Sequence, residues 1–305
     1  MTASTSSHPL DTRQGILWML SAMMMFTGTN ALAKLLMGHY PVMQVVWARY
    51  FFQFLLLIIF IGPRLPRVMV TSKLKIQLLR SLLLLGTSVM FFFGLSQLAL
   101  ADISAIMFVA PILVTALSMP VLGEHVGLRR WAGIVVGFMG ALIIIRPGFG
   151  GMQTAALFPL GAACLYALYQ ISTRFIGRTD DAMTTLLYTA SSGMLITTAL
   201  VGFYWQTPEA IGWLMMAGMG VTSNLGHFSM IKAYQAAPVA TVAPFTYVNL
   251  LWATMFGFIL FSDLPDLWTV SGALVIVASG LYIFHRENQR GGKDKQVEPP
   301  MESPT

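Results

Sequence analysis

Ten apolar stretches run through this chain in two successive sets of five, and about 140 residues separate the sets. At a shift of 140, Leu20 falls on Leu160, Ala22 on Ala162, Lys34 on Arg174 and Met43 on Met183. At a shift of 139, Ala101 falls on Ala240, Leu122-Gly123-Glu124 on Phe261-Ser262-Asp263, and Gly133 on Gly272. Identities are sparse, but the apolar segments keep their order and spacing. Chains duplicated in this way pack their copies against each other in a bilayer, and carriers so built hold their substrate between the copies.

The segments run over about 15–37, 42–62, 77–98, 102–122, 128–146, 155–175, 182–203, 210–231, 239–261 and 267–285. Each is close to the ~20 residues that cross the hydrocarbon layer as a helix. With loops this short, nearly all of the backbone is helical, as lipid requires. Residues 1–14 form a polar tail without a signal-peptide pattern, 15–146 and 155–286 the two repeats, and 287–305 a polar tail expected to be disordered.

Composition agrees. Apolar residues make up 56% of the chain and charged ones only 10%, against roughly 25% charged in a soluble domain. The net charge of +6 is spread over loops between apolar runs, which fits a topology signal and no nucleic-acid partner. A single cysteine, Cys164, excludes an intrachain disulfide. The glycine turn Gly148-Phe149-Gly150-Gly151 lacks the lysine of a nucleotide-binding loop, and the five histidines are scattered. ATP hydrolysis, zinc chemistry, a cofactor and enzymatic activity are not expected.

With the N-terminus in the cytoplasm, 15 of the 18 lysines and arginines fall inside: Arg13, Arg64, Arg67, Lys73, Lys75, Arg80, Arg129, Arg130, Arg174, Arg178, Lys232, Arg286, Arg290, Lys293 and Lys295. Lys34 and Arg146 lie near outer ends, and Arg49 lies within a span. This bias sets both termini inside. Five spans per copy is an odd number, so the copies must be inverted. The turn after span four carries Glu124, Arg129 and Arg130, whereas its counterpart after span nine carries Asp263 and Asp266 and no base.

Proline punctuates equivalent spans. Pro111 in span four and Pro244 in span nine each remove a backbone donor and are expected to bend their helices. Gly133, Gly137 and Gly140 on span five, with Gly272 and Gly280 on span ten, form small-residue faces suited to close helix packing or to a homodimer.

The stretch from Ala99 to Pro147, ALADISAIMFVAPILVTALSMPVLGEHVGLRRWAGIVVGFMGALIIIRP, resembles the EamA repeat of the drug/metabolite transporter superfamily. The stretch from Ala233, AYQAAPVATVAPFTYVNLLWATMFGFILFSDLPDLWTVSGALVIVASGLYI, is similar to the same unit with Asp263 in place of the first copy's Glu124. The resemblance covers about residues 13–286. It implies an all-α membrane protein of ten transmembrane helices, arranged as two inverted five-helix repeats that move small metabolites.

In such a fold spans one, three, four, six, eight and nine line the central cavity. The resemblance thus singles out Phe26, Asn30 and Lys34 on span one, with Asn30 and Lys34 sharing a face. Ser88, Phe92 and Gln97 follow on span three, and Tyr166, Tyr169 and Gln170 on span six. Span eight contributes Asn224, His227 and Lys232, and span nine Tyr247, Asn249 and Trp252. Phe26 aligns with Tyr166 and Asn30 with Gln170, which places a seam between the copies. Arg49, about 10 Å below the outer edge at ~1.5 Å per residue, has no acid within the spans to pair with. Carbonyls, Gln53 or a substrate anion remain as its partners. Each of these residues also has a packing reading: amides bond neighbouring helices, end-of-span aromatics anchor interfaces, and Lys34 snorkels. All twelve acids lie in loops, tails or span ends, so the buried carboxylate of many proton- or sodium-coupled carriers is missing.

The expected function is secondary transport of a small organic metabolite across the bacterial inner membrane: amino-acid-like, nucleotide-like, or a vitamin such as riboflavin. An exporter of amino acids or toxic compounds with the same fold, and a non-transporting scaffold subunit, are the alternatives. The expected partners are the metabolite and the lipid bilayer.

Overall fold

The structure, a computed structural model, describes residues 12–122, 128–146, 153–176 and 180–294. Ten helical segments follow one another: α1 Thr12–Met37, α2 Val42–Ile61, α3 Leu74–Leu95, α4a Leu100–Met107 continued by α4b Val109–Leu122, and α5 Leu128–Ile145. The second set is α6 Gln153–Ile176, α7 Ala182–Val201, α8 Ala210–Ala236, the broken ninth segment, and α10 Leu267–Asp294. The ninth begins with one helical turn, α9a Val239–Val242, passes through a 3₁₀ stretch Ala243–Val248, and resumes as α9b Asn249–Phe261. Among the described residues there is no strand. Seven helices there are long and apolar enough to cross a membrane, and Trp131–Ile145 and Leu267–Tyr282 are shorter apolar helices. α8 has the length, 27 residues, but Ser223, Asn224 and His227 lower its hydropathy.

Outward-facing side chains are apolar. Ile59, Leu82, Val135, Leu157, Leu195 and Leu251 are exposed on the bundle surface, which suits hydrocarbon as the surrounding solvent. Inside, one cluster joins α1, α2, α3 and α8 through Leu36, Val45, Phe92 and Met219. A second joins α4a, α4b, α5, α6 and α10 through Ile106, Ile112, Ile144, Ala156 and Ile276.

Helix pairing obeys the repeat. α1 packs on α8 and α6 on α3; α2 packs on α8 and α7 on α3; α1 meets α9b while α6 meets both parts of the fourth segment. Exchanging the two copies turns each of these pairs into its partner, whereas α2 with α7 and α5 with α10 map onto themselves. A pseudo-twofold therefore runs through the bundle.

The proline breaks occur where backbone chemistry requires them. A proline cannot bond the carbonyl four residues back and its ring crowds that group. Four residues before Pro111 is Met107, where α4a ends; Pro244 sits in the first positions of the 3₁₀ stretch. Across the axis, Phe108 and Tyr247, one from each break, pack edge to face with centroids 5.0 Å apart.

The glycine faces are used within the chain. A Cβ on Gly140 would lie 2.9 Å from the Gly272 carbonyl oxygen, and one on Gly272 would lie 2.6 Å from that of Gly140. The repeat-related contact is a hydrogen bond of 2.6 Å from Ser279 Oγ to the Gly133 carbonyl. α5 and α10 thus meet backbone to backbone, so these glycines serve internal packing. Glu124, the Gly148–Gly151 turn, Arg178, Lys295 and residues 1–11 and 295–305 of the tails lie outside the described residues. So do the side chains of Arg129, Arg130, Arg174, Arg286, Arg290 and Lys293. Residues 12–14 belong to α1 and 287–294 continue α10 as helix, so the second tail, expected to be disordered, is helical over its first residues.

Candidate substrate site between the repeats

Phe26 lies where α1 meets α8. Its ring stands edge to face against His227, centroids 5.0 Å apart. Gly226 makes the approach feasible, since a Cβ there would come within 2.7 Å of the Phe26 ring. The related place, where α3 meets α6, has Gly86 with Leu165 side chain 3.0 Å from where its Cβ would be. Next to Leu165, Tyr166 stacks on Tyr169 with centroids 5.6 Å apart. Phe26 thus packs on Gly226, while at Gly86 the contact is made by Leu165, the chain neighbour of its mate Tyr166. Among the described residues no ring contact joins Phe26 to Tyr166. The pairing of α1 with α8 and of α6 with α3 sets the two mates on opposite sides of the pseudo-twofold. Asn30 and Gln170, the amide mates, are both half-buried, and among the described residues neither makes a side-chain hydrogen bond.

Arg49 enters from α2. Its guanidinium carbon lies 5.6 Å from the Phe92 ring centre and 5.8 Å from that of Tyr50. Nη1 donates to Ser88 Oγ at 3.3 Å, and Nε is buried without a partner. The Gln53 side chain is not its partner. Phe92 is wholly buried in the core, so it is a wall behind Arg49.

Several expected site residues have partners of their own. Lys34 Nζ donates to Asp263 Oδ2 at 3.1 Å and to the Leu98 carbonyl at 3.0 Å, and it sits 4.8 Å from the Phe261 ring centre. The lysine ties α1 to the turn after α9b instead of snorkelling free. Asn224 Nδ2 donates to the Gln53 carbonyl at 3.2 Å and the Gly220 carbonyl at 3.0 Å, bonding α8 to α2. Tyr247 packs on Phe108 and fills the space left by Gly280. Trp252 borders the apolar cluster that also holds Phe26, and its Nε1 is buried without an acceptor. Asn249 Oδ1 lies 2.6 Å from the Thr27 hydroxyl.

Arg80 is the residue whose place the sequence hid. Counted among the cytoplasmic topology cations at the start of the third segment, it is in fact only 1% exposed. It donates to Thr173 Oγ1, Gln77 Oε1, the Thr185 carbonyl, Thr189 Oγ1 and Tyr169 Oη at 2.7–3.4 Å. One signal was available: Gln77, Arg80 and Ser81 form a polar face at helical spacing on an apolar helix. Nearby, Gln77 Nε2 donates to Asp180 Oδ2 at 2.8 Å, and Thr71 also bonds that carboxylate. The opposite end of the bundle carries the ion pairs Lys34–Asp263 and Arg146–Asp266, with Thr269 Oγ1 donating to Asp102 at 2.8 Å. Among the described residues no three His, Cys, Asp or Glu side chains gather as a metal site.

A helical bundle with an apolar exterior, two exchangeable halves and polar side chains at their seams has the build of a multi-pass membrane transporter. Residues 13–146 and 153–284 each match the EamA-like transporter family, and the chain belongs to that family. It is similar to the riboflavin transporter of Vibrio cholerae, 28% identical over 303 residues, covering 96% of this chain and 99% of that protein. It is 24% identical over 275 residues to the S-adenosylmethionine uptake transporter of Rickettsia prowazekii, covering 90% and 94%. The pseudopaline exporter of Pseudomonas aeruginosa is 24% identical over 272 residues, covering 88% and 94%. One solved crystal structure superposes with a TM-score of 0.64 at 15% identity, over 91% of this chain and 98% of that one, and bears on the fold alone. The chain is therefore a small-metabolite transporter and not an enzyme.

Proposed function

We propose that this protein carries a small organic metabolite across the bacterial inner membrane by alternating access, its halves 15–146 and 155–286 rocking about the pseudo-twofold. Both termini are cytoplasmic, the Lys34 end of the bundle faces outward and the Arg80 end inward. The observation that carries this reading is the pair of equivalent seams with Asn30 and Gln170 half-buried and unbonded on each. A scaffold has no use for amides held ready in this way, because helix-bonding amides such as Asn224 are already satisfied. A planar body suits the rings of Phe26, His227, Tyr166 and Tyr169. Riboflavin and S-adenosylmethionine, named for two relatives, both have planar ring systems. Direction follows from the solute gradient and any coupling, so uptake and export are both within reach of the fold.

The test is substrate accumulation in proteoliposomes with Asn30→Ala and Gln170→Ala. Each substitution is expected to lower transport roughly tenfold, the loss of about one hydrogen bond, while the unfolding midpoint stays within a few degrees. Unchanged transport in both variants removes the seam from the site.

A further inference from the structure

We propose that Arg49 receives an acidic group of the transported solute, a carboxylate or a phosphate; this rests on the transporter reading above. A guanidinium carries five N–H donors. Among the described residues Arg49 uses one of them, on Ser88 at 3.3 Å, and its Nε is buried with no acceptor. Ser88 does not depend on that bond. Its hydroxyl lies 3.0 Å from the Leu84 carbonyl and 2.9 Å from the Tyr50 hydroxyl. If Arg49 turned toward a ligand, Ser88 would remain satisfied.

No protein acid compensates Arg49 among the described residues. The carboxylates that could do so are held elsewhere: Asp263 by Lys34, Asp266 by Arg146, Asp102 by Thr269, and Asp180 by Thr71 and Gln77. A guanidinium inside a membrane protein without a counter-charge is costly, and an anion lowers that cost when it arrives. The other unmet groups differ in polarity, and the buried Ser223 hydroxyl, like the amides, both donates and accepts. Trp252 Nε1 is a pure donor buried without an acceptor, and the free amides Asn30 and Gln170 each offer N–H groups. The donor-only groups Arg49 and Trp252 Nε1 call for acceptors on the solute. Depth also agrees: Arg49 lies about 10 Å along α2 from Val42, and Asn30 about 10 Å along α1 from Met37, at ~1.5 Å per residue.

Proteoliposomes holding the full chain are given a water-soluble bacterial metabolite extract, and protein-dependent accumulation is read by mass spectrometry. The accumulated solutes are expected to carry a carboxylate or phosphate. Benzoate is expected to compete with them and benzamide not to, a comparison that needs no variant. Arg49→Gln is expected to slow the accumulation of these acids by roughly ten- to hundredfold, the loss of a charge-assisted bond, and Arg49→Lys to restore part of it. Size-exclusion elution at the wild-type volume checks that each variant is folded. Accumulation of solutes without an acid group, equal competition by benzamide, or wild-type rates in folded Arg49→Gln overturns the inference and leaves the transporter reading standing. If no solute accumulates, both readings fall.

Discussion

Arg80 and Arg49 are two guanidiniums in related surroundings with opposite bonding. At the 140-residue shift Thr189, a partner of Arg80, falls on Arg49, and Arg80 itself falls on Gly220. In one seam the cation stands on α3 and α7 supplies oxygens. In the other the cation stands on α2, and α8 supplies a glycine. Arg80 makes five hydrogen bonds, to groups on α3, α6 and α7, whereas Arg49 makes one, to α3. The pseudo-twofold is thus a rule of backbone packing and not of side-chain chemistry. One arginine is part of the framework, and the other leaves most of its donors unused among the described residues.

The sharpest way to break this comparison is to remove each cation and measure stability. Arg80→Ala strips a cross-link among three helices and leaves several oxygens without a donor. It is expected to lower the unfolding free energy by on the order of 3 kcal/mol. Arg49→Gln removes one long bond and is expected to change stability by less than about 1 kcal/mol. Denaturant unfolding in detergent micelles measures both. Equal losses in the two variants would mean that Arg49 is framework as well.

Next in size is the glycine that stands where Arg80 has its mate. A Cβ on Gly220 would lie 2.5 Å from Phe52 Cβ and 2.9 Å from the Phe52 carbonyl carbon, so α8 and α2 must separate to admit it. Gly220→Ala is expected to cost about 1–3 kcal/mol, seen as a lower unfolding midpoint. Gly218→Ala, whose Cβ would meet only Leu32 Cδ1 at 3.4 Å, is expected to be near neutral. If the two substitutions behave alike, α2 and α8 pack less closely than the contacts imply.

These particulars mark what could be read from the chain. The ten segments were legible because a bilayer demands about 20 apolar residues from each helix. The two helix breaks were legible because proline has no N–H to give. The want of an acid near Arg49 was legible too, since no Asp or Glu stands in the middle of a span. Arg80 was not legible, because near a helix end a cation reads as a topology signal. Four of its five acceptors lie 89–109 residues away in sequence. The alignment paired Phe26 with Tyr166, but only the packing of α1 with α8 could show that Phe26 meets His227 and Gly226. Lys34 was seen as a lone cation because its acid, Asp263, lies 229 residues away.

The smallest expected effect concerns the chemistry of the bundle ends. The Arg80 end is held by a fully buried cation on neutral oxygens, the Lys34 end by ion pairs that are partly exposed. Exposed pairs contribute little and answer to pH. Burial pushes the Asp266 carboxyl up, but hydrogen bonds from Thr269 and the Arg146 cation outweigh it and hold the group below its ordinary 3.8. A carboxyl depressed in the folded state contributes stability that is full above its unfolded value and is lost as pH falls through the folded one. The wild-type unfolding midpoint should therefore lose a small component below pH 3.8. Arg146→Gln removes the cation and raises the folded value. Its loss should begin at the same pH, be complete at a higher pH and be smaller in total, and Asp266→Asn should lack this component. Parallel curves for wild type and Arg146→Gln would mean that the Arg146–Asp266 pair does not hold this end, leaving Lys34 and Asp263 as its ionic tie.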